Sequence, residues 1–287
     1  MFSKSVKLNN GVEVPQLALG TWLIDDNDVC KAVKSALALG YRHVDTAQAY
    51  GNERGVGEAV RNCGVKRSEL FITSKVAAEH KTYKASKESI DKTLTDMQLD
   101  YLDMMIIHSP QPWNKVNQCE DRYYEGNLEA WRALEDAYRG GKLRAIGVSN
   151  FIQCDIDNLI ENAQIKPMVN QVLCHISNSP LGLIDWCQKR EIVMEAYSPV
   201  AHGEALKNAS IAEMAQKYSV TVAQLCLRFD IQLGMIVLPK TENTDHMKNN
   251  ADLDFIISEH DMETLKNIER IKDYGSSSFF PVYGGRL

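Results

Sequence analysis

Short apolar runs and longer stretches of helical spacing alternate along most of this chain. Leu17-Ala18-Leu19 is a brief apolar run. Val29, Val33, Ala36 and Leu37 follow at i, i+4, i+7 and i+8, one face of a helix, with Gly40 where that helix should stop. The same alternation recurs downstream. The strand-like segments are His43-Val44-Asp45, Phe71-Ile72-Thr73-Ser74, Met104-Met105-Ile106-Ile107, Arg144 to Val148, Val169-Asn170-Gln171, Ile192 to Ala196 and Met235 to Leu238. Between them lie helical stretches, over about Glu53 to Arg61, then with apolar faces at Ile90, Leu94 and Met97, at Leu128, Trp131, Leu134 and Tyr138 up to Gly140-Gly141, and at Leu225 and Phe229. Ahead of all this, Asn10-Gly11 separates two short β-type runs, Val6 to Leu8 and Val12 to Val14, and predicts a hairpin with a type I′ turn.

Eight strands with helices between them imply parallel pairing, because a parallel connection needs a crossover. Near-continuous apolar strands suit a sheet covered on both faces. A closed eight-stranded barrel and an open doubly wound sheet both satisfy this count. The 287 residues accommodate a barrel of about 250 residues, and no Gly/Pro/Ser-rich linker or fixed repeat divides them, so one domain over 1–287 is expected.

Composition narrows the function classes. The net charge is -6 and no basic stripe suggests nucleic acid. No run of about 18 apolar residues predicts a membrane span. The first residues, MFSKSVKLNNG, lack an apolar leader core, and seven cysteines lie scattered without CxxC pairs, so free thiols in the cytoplasm are expected. No His/Cys cluster has zinc-ligand spacing, and no metal is assigned.

In a (β/α)₈ barrel the chemistry sits at the C-terminal ends of the strands. Asp45, Lys75 and His108 end the second, third and fourth strand-like segments, and Tyr50 follows the second. A carbonyl that accepts hydride needs a proton donor. Tyr50 is a candidate, but a free phenol has a pKa of about 10. A nearby Lys75 ammonium would lower it, and Asp45 would hold that ammonium charged and oriented. His108 could donate a hydrogen bond to the substrate oxygen or share the proton with Tyr50. Singly, each residue has a plainer reading: helix cap, loop packing, solvated charge, structural histidine. Their placement on consecutive strand ends is what points to chemistry.

The segments carrying these residues, Gly40-Tyr41-Arg42-His43-Val44-Asp45-Thr46-Ala47-Gln48-Ala49-Tyr50-Gly51-Asn52-Glu53, Phe71 to Lys75 and Ile107-His108, resemble the aldo-keto reductase family. So do Gly147-Val148-Ser149-Asn150-Phe151, Asn170-Gln171, Ala196-Tyr197-Ser198-Pro199 and Leu238-Pro239-Lys240-Thr241, in order over nearly the whole chain. The resemblance implies a (β/α)₈ TIM barrel with an N-terminal β-hairpin cap, and a catalytic set of Asp45, Tyr50, Lys75 and His108. It implies NADPH-dependent reduction of aldehydes or ketones to alcohols by a monomer, with Tyr50 as general acid. It further implies that Ser149, Asn150 and Gln171 hold the nicotinamide carboxamide, Tyr197 stacks on the ring, Ser198 and Val200 meet the pyrophosphate, Lys240 and Thr241 meet the 2′-phosphate, and Asn250 meets adenine. Where the family usually has Arg six residues after the lysine, this chain has His246. An imidazole is mostly neutral at pH 7 where a guanidinium is always charged, so a weaker preference for NADPH over NADH is expected.

By family position Trp22, with Ile24 nearby, belongs to the substrate pocket, and the loop after the fourth strand brings Trp113 and Tyr123. Ser109 stands where many relatives have Trp and is expected to open or polarise the pocket. The tail from Tyr274 to Leu287 offers Phe279, Phe280 and Tyr283 as a cover. Gly55-Val56-Gly57 loosely suggests a dinucleotide-binding glycine loop but does not follow a strand directly, and is read as helix packing. Two other functions stay open: a cofactor-binding redox-sensing or structural module of the same fold, and an unrelated barrel enzyme such as an isomerase of a phosphate ligand.

Overall fold

The computed structural model describes residues 1–284. An antiparallel hairpin, β1 (Ser5–Lys7) and β2 (Glu13–Pro15), comes first. Eight parallel strands follow: β3 (Ala18–Gly20), β4 (His43–Asp45), β5 (Phe71–Val76), β6 (Leu102–Ile107), β7 (Leu143–Ser149), β8 (Val169–Leu173), β9 (Val193–Tyr197) and β10 (Ile236–Leu238). The first five crossovers carry one α-helix each: α1 (Asp26–Leu39), α2 (Glu53–Arg61), α3 (Tyr83–Met97), α4 (Tyr124–Arg139) and α5 (Gln153–Asn162). α6 (Leu181–Gln188) joins β8 to β9, α7 (Ala209–Lys217) and α8 (Val222–Gln232) join β9 to β10, and α9 (Thr244–Ala251) and α10 (Glu259–Lys266) follow β10.

The strands lie in sequence order in the sheet. The first and last strands also meet: Val237 N–H donates to Gln16 at 3.0 Å and Gly20 N–H to Pro239 at 3.0 Å. Those two bonds close the sheet into a barrel and decide against the open alternative. Gly20 makes the closure possible, because a Cβ there would lie 3.1 Å from the Leu238 carbonyl oxygen. The predicted strand segments are buried at almost every position, as a sheet covered by helices outside and filled by side chains inside requires.

The helix ends follow local chemistry. Gly40 closes α1 in the left-handed region at φ 111°, its N–H bonding back to Ala36 and Leu37. Thr221 and Gln224 form a reciprocal capping box on α8. Gly55 and Gly57 are packing residues, as read from the sequence. A Cβ on Gly55 would sit 2.4 Å from the Asp26 carbonyl of α1, and one on Gly57 would sit 2.3 Å from the Met97 carbonyl of α3.

The hairpin corrects one expectation. The Leu8 N–H bonds Val12 and the Gly11 N–H bonds Leu8, so Asn9-Asn10 is the central pair of the turn. Only Gly11 has positive φ, at 87°. A type I′ turn needs two such residues in succession. The observed loop is the three-residue kind, in which a left-handed glycine forms a bulge. Tertiary anchoring accounts for the shift. Asn9 Nδ2 donates to Pro167 and Glu191, and Asn10 Nδ2 to Arg144, all at the N-terminal end of the barrel.

Candidate active site

At the other end of the barrel, β4 ends on Asp45, Lys75 is the penultimate residue of β5, and His108 follows β6 directly. The Lys75 ammonium is fully buried and donates to Asp45 Oδ1 at 2.5 Å and to the Thr46 carbonyl at 2.8 Å. Lys75 Nζ also lies 5.0 Å from the centre of the Tyr50 ring. The Tyr50 and His108 rings meet edge to face at 5.6 Å, and His108 meets Trp113 in the same way at 4.9 Å.

Tyr50 is held by its turn. Residues Gln48–Tyr50 form a single 3₁₀ turn that Gly51 closes at φ 69°. The Gln48 amide ties that turn outward, donating to Ser89 and Thr93 and accepting from the Ala77 N–H at 2.8 Å. Asn52 locks the other side, donating to the Thr21 and Ile24 carbonyls at 2.9 Å and accepting from the Thr46 hydroxyl at 2.7 Å. Nearly every polar group of the loop is thereby committed, leaving the phenol little freedom.

The electrostatics differ from the sequence expectation in one respect. Burial raises the Tyr50 pKa above its ordinary value, and the downward pull of Lys75 does not cancel it. The phenol is half-buried and opens on a cavity. Burial alone would lower the Lys75 pKa, but Asp45 and Tyr50 outweigh it and the net direction is up. His108 is pushed well below the usual histidine range by burial and then by Lys75, so the imidazole is neutral. Its Nδ1 is buried without a partner among the described residues, which leaves Nε2 as the nitrogen able to meet a ligand.

A cavity of about 960 Å³ opens above these groups. Asp45, Tyr50 and His108 line it together with Trp22 and Trp113, while Lys75 sits behind them, out of contact with the cavity. From there it runs past Ser149, Asn150, Gln171 and Tyr197, then Ser198 and Val200, and on to Lys240, Thr241, His246 and Asn250. The structure thus brings every catalytic and cofactor candidate except Lys75 onto one continuous wall. Among these, Asn150 Oδ1 accepts from the Tyr197 hydroxyl at 2.7 Å, and Asn150 Nδ2 donates to the His108 carbonyl and Ser149 Oγ. Ser198 Oγ lies 3.0 Å from His202 Nε2 and 3.2 Å from the Tyr283 hydroxyl. At the far end Lys240 has Glu242 at 3.5 Å, and Asn243 caps α9 through the Asp245 and His246 N–H groups.

Three pocket expectations are corrected. Ile24 is buried in the barrel core, and its neighbour Leu23 takes the place at the cavity wall. Tyr123 precedes α4 at φ 54° and does not reach the cavity. Ser109 is also away from the wall, with its Oγ accepting from the Gln111 N–H at 3.3 Å. The indole of Trp113 packs on His108 instead. Phe279, Phe280 and Tyr283 of the tail all line the cavity, and the Phe280 ring lies 5.3 Å from Trp22 and 4.8 Å from Trp113. The last three residues of the tail expectation, 285–287, lie outside the described residues.

Two residues were missed by sequence reasoning. His202, on a loop turn with φ 54°, hydrogen bonds the Tyr283 hydroxyl and meets Trp22 edge to face at 5.3 Å. No spacing in the sequence singles it out. Glu195 is fully buried inside β9. Its signal was available, since an acid in the middle of Val193-Met194-Glu195-Ala196-Tyr197 breaks an apolar strand.

A model described as the Aldo/keto reductase family matches residues 16–270. A relative from Bacillus subtilis named glyoxal reductase is 41% identical over 273 residues, covering 94% of this chain and 95% of its own. A Saccharomyces cerevisiae relative named glycerol 2-dehydrogenase (NADP(+)) is 34% identical, covering 94% and 92%. Among solved structures, an aldo-keto reductase from a Medee basin deep-sea metagenome library superposes with a TM-score of 0.85 at 38% identity, covering 92% of this chain and 95% of that one.

Proposed function

We propose that this chain, which belongs to the aldo/keto reductase family, reduces aldehydes or ketones to alcohols with NADPH, Tyr50 donating the proton. The observation that carries the reading is the Lys75–Asp45 ion pair sealed behind a phenol at the cavity wall. Burial keeps the Tyr50 proton in place at neutral pH, so the group starts as an acid. Lys75 then stabilises the phenolate left after donation, and Asp45 keeps that ammonium from turning away. Neutral His108 can donate from Nε2 to the substrate oxygen without adding a charge that must be buried. Donors placed where negative charge develops act most strongly in such a water-poor site.

The residues present fit a dinucleotide. Gln171 spends its amide NH₂ on the Asp45 and Glu195 carboxyls, which leaves Oε1 to accept from a carboxamide NH₂. Ser149 and Asn150 adjoin it, Tyr197 offers a ring face, and Ser198 and Val200 border the middle of the trough. Lys240, Thr241, His246 and Asn250 would hold the distal phosphate and base, with Lys240 supplying the positive charge that favours a 2′-phosphate. A bound reduced nicotinamide supplies the hydride. Every one of these residues belongs to one chain, so a monomer suffices for the site. The Bacillus subtilis relative is named glyoxal reductase, which makes small dicarbonyls the first substrates to try.

The test is Tyr50→Phe. Consumption of NADPH with methylglyoxal should fall by about 10²- to 10⁴-fold, the usual contribution of a positioned acid. Quenching of tryptophan fluorescence by NADPH should persist. Undiminished turnover would remove Tyr50 from the reaction, and binding of NADPH without turnover on any carbonyl by the unaltered chain would favour a binding module.

A further inference from the structure

Glu195 lies in the barrel interior beneath the site, outside the catalytic set. Gln171 Nε2 donates one N–H to Asp45 Oδ2 at 3.0 Å and the other to Glu195 Oε2 at 2.8 Å. The result is an unbroken chain, Lys75–Asp45–Gln171–Glu195, drawn from β5, β4, β8 and β9. It contains two carboxyls and one ammonium. Asp45 takes the ammonium, and no cation pairs with Glu195 among the described residues. Glu195 Oε1 is buried with no partner among the described residues.

Resting on the proposed reduction, we infer that Glu195 is a positioning residue that acts through Gln171 on the Asp45–Lys75 pair, and that its proton decides how well Tyr50 serves as the acid. A buried carboxylate without a counter-ion is costly, and the group escapes that cost by holding a proton. Burial and then the Asp45 charge push its pKa up to about 8, against the smaller opposing pulls of the Gln171 bond and Lys75. Asp45 and Lys75 are the charged groups that act on it, and the flanking strands present Gln171 and Ile236 in register. While protonated, Glu195 accepts from Gln171 on Oε2 and leaves Asp45 as the one anion beside Lys75. When it ionises, a second negative charge stands behind that pair. Negative potential there raises the cost of a phenolate at Tyr50 and of an alkoxide on the substrate, so reduction slows.

The experiment compares the full chain with Glu195→Gln, which keeps the shape and cannot ionise. Single-turnover reduction of methylglyoxal by the NADPH complex is followed from pH 6.5 to 9.5. The rate of the unaltered chain relative to the variant should fall by about tenfold over that range, whatever the absolute rates. Infrared spectra supply a readout independent of turnover. In the difference spectrum between the unaltered chain and Glu195→Gln, which cancels the other buried carboxyls such as Asp230, a protonated-carboxyl stretch should stand at pH 6.5 and vanish by pH 9.5. A flat rate ratio, or a difference spectrum with no titrating carboxyl band, overturns the inference. If no carbonyl is reduced at all, the proposed function fails while the infrared comparison still decides the state of Glu195. Should Glu195→Gln not fold, Glu195→Met removes the same ionisation and is read the same way.

Discussion

Removing the Lys75 ammonium should cost far more in an otherwise unaltered chain than in one that also lacks the Asp45 charge. Lys75 is fully buried and Asp45 is 3% exposed, so neither charge can turn to water when its partner is lost. Lys75→Met strands the Asp45 carboxylate and leaves the Thr46 carbonyl without its 2.8 Å donor. Breaking one side of a buried pair costs roughly 3–5 kcal/mol, so Lys75→Met is expected to destabilise by about 4 kcal/mol. Asp45→Asn strands the ammonium instead and should cost about 3 kcal/mol, since the single amide oxygen can still accept from Lys75 while the Gln171 bond is lost. The double variant buries no charge. Its loss should fall short of the sum of the single losses by about 3 kcal/mol. Urea unfolding at pH 7.5, on all four chains with a common slope, measures each term. Losses that add to within about 0.5 kcal/mol would mean that the two groups do not act as a pair, and the account of Tyr50 would lose its foundation.

Other outcomes follow from single features. Gly57→Ala would normally gain about 1 kcal/mol of helix propensity, but the added Cβ would lie 2.3 Å from the Met97 carbonyl, so a net loss of about 2 kcal/mol in urea unfolding is expected, and a gain would contradict the packing between α2 and α3. His246→Arg should lower the KM for NADPH by about tenfold and leave that for NADH nearly unchanged, because a charged, forked donor adds to Lys240 at a 2′-phosphate that NADH lacks; an unchanged ratio would place position 246 away from that group. The pH dependence of stability tests His43, whose Nδ1–H donates to the Pro15 carbonyl while Nε2 accepts from the Thr73 hydroxyl. Burial lowers its pKa from 6.5 to about 4, against Asp45, the Pro15 bond and Asp103. The unfolded chain therefore takes up the proton first as pH falls, and stability is lost from pH 6.5 down to 4, by about 3 kcal/mol for this residue. The stability difference between the unaltered chain and His43→Gln should narrow by that amount between pH 7 and 4, and a constant difference would be inconsistent with a neutral imidazole.

The alternation of apolar runs and helical faces was enough to locate the eight barrel strands, because each element records its own burial in its own period. The rule that barrel chemistry sits at strand ends then led to Asp45, Lys75 and His108, with Tyr50 just beyond. These are local facts, legible wherever an apolar run stops at an ionisable residue. The resemblance to a family added the order of the trough from Ser149 to Asn250, which no periodicity contains.

Contacts between distant parts of the chain decided the rest. Barrel closure depends on residues 16–20 meeting residues 237–240. The hairpin turn yielded its local Asn-Gly preference to bonds with Pro167, Glu191 and Arg144. Nor does the order of residues say that Ser109 faces away from the cavity while Trp113 packs on His108, since that depends on how the loop folds back. The acidity of Tyr50 is the sharpest case. Its neighbour Lys75 could be named from strand ends alone, but the competing effect, withdrawal from water, exists only once strands, loops and tail enclose the phenol. Charge partners can be read residue by residue, whereas desolvation belongs to the assembled interior, and here it sets the direction.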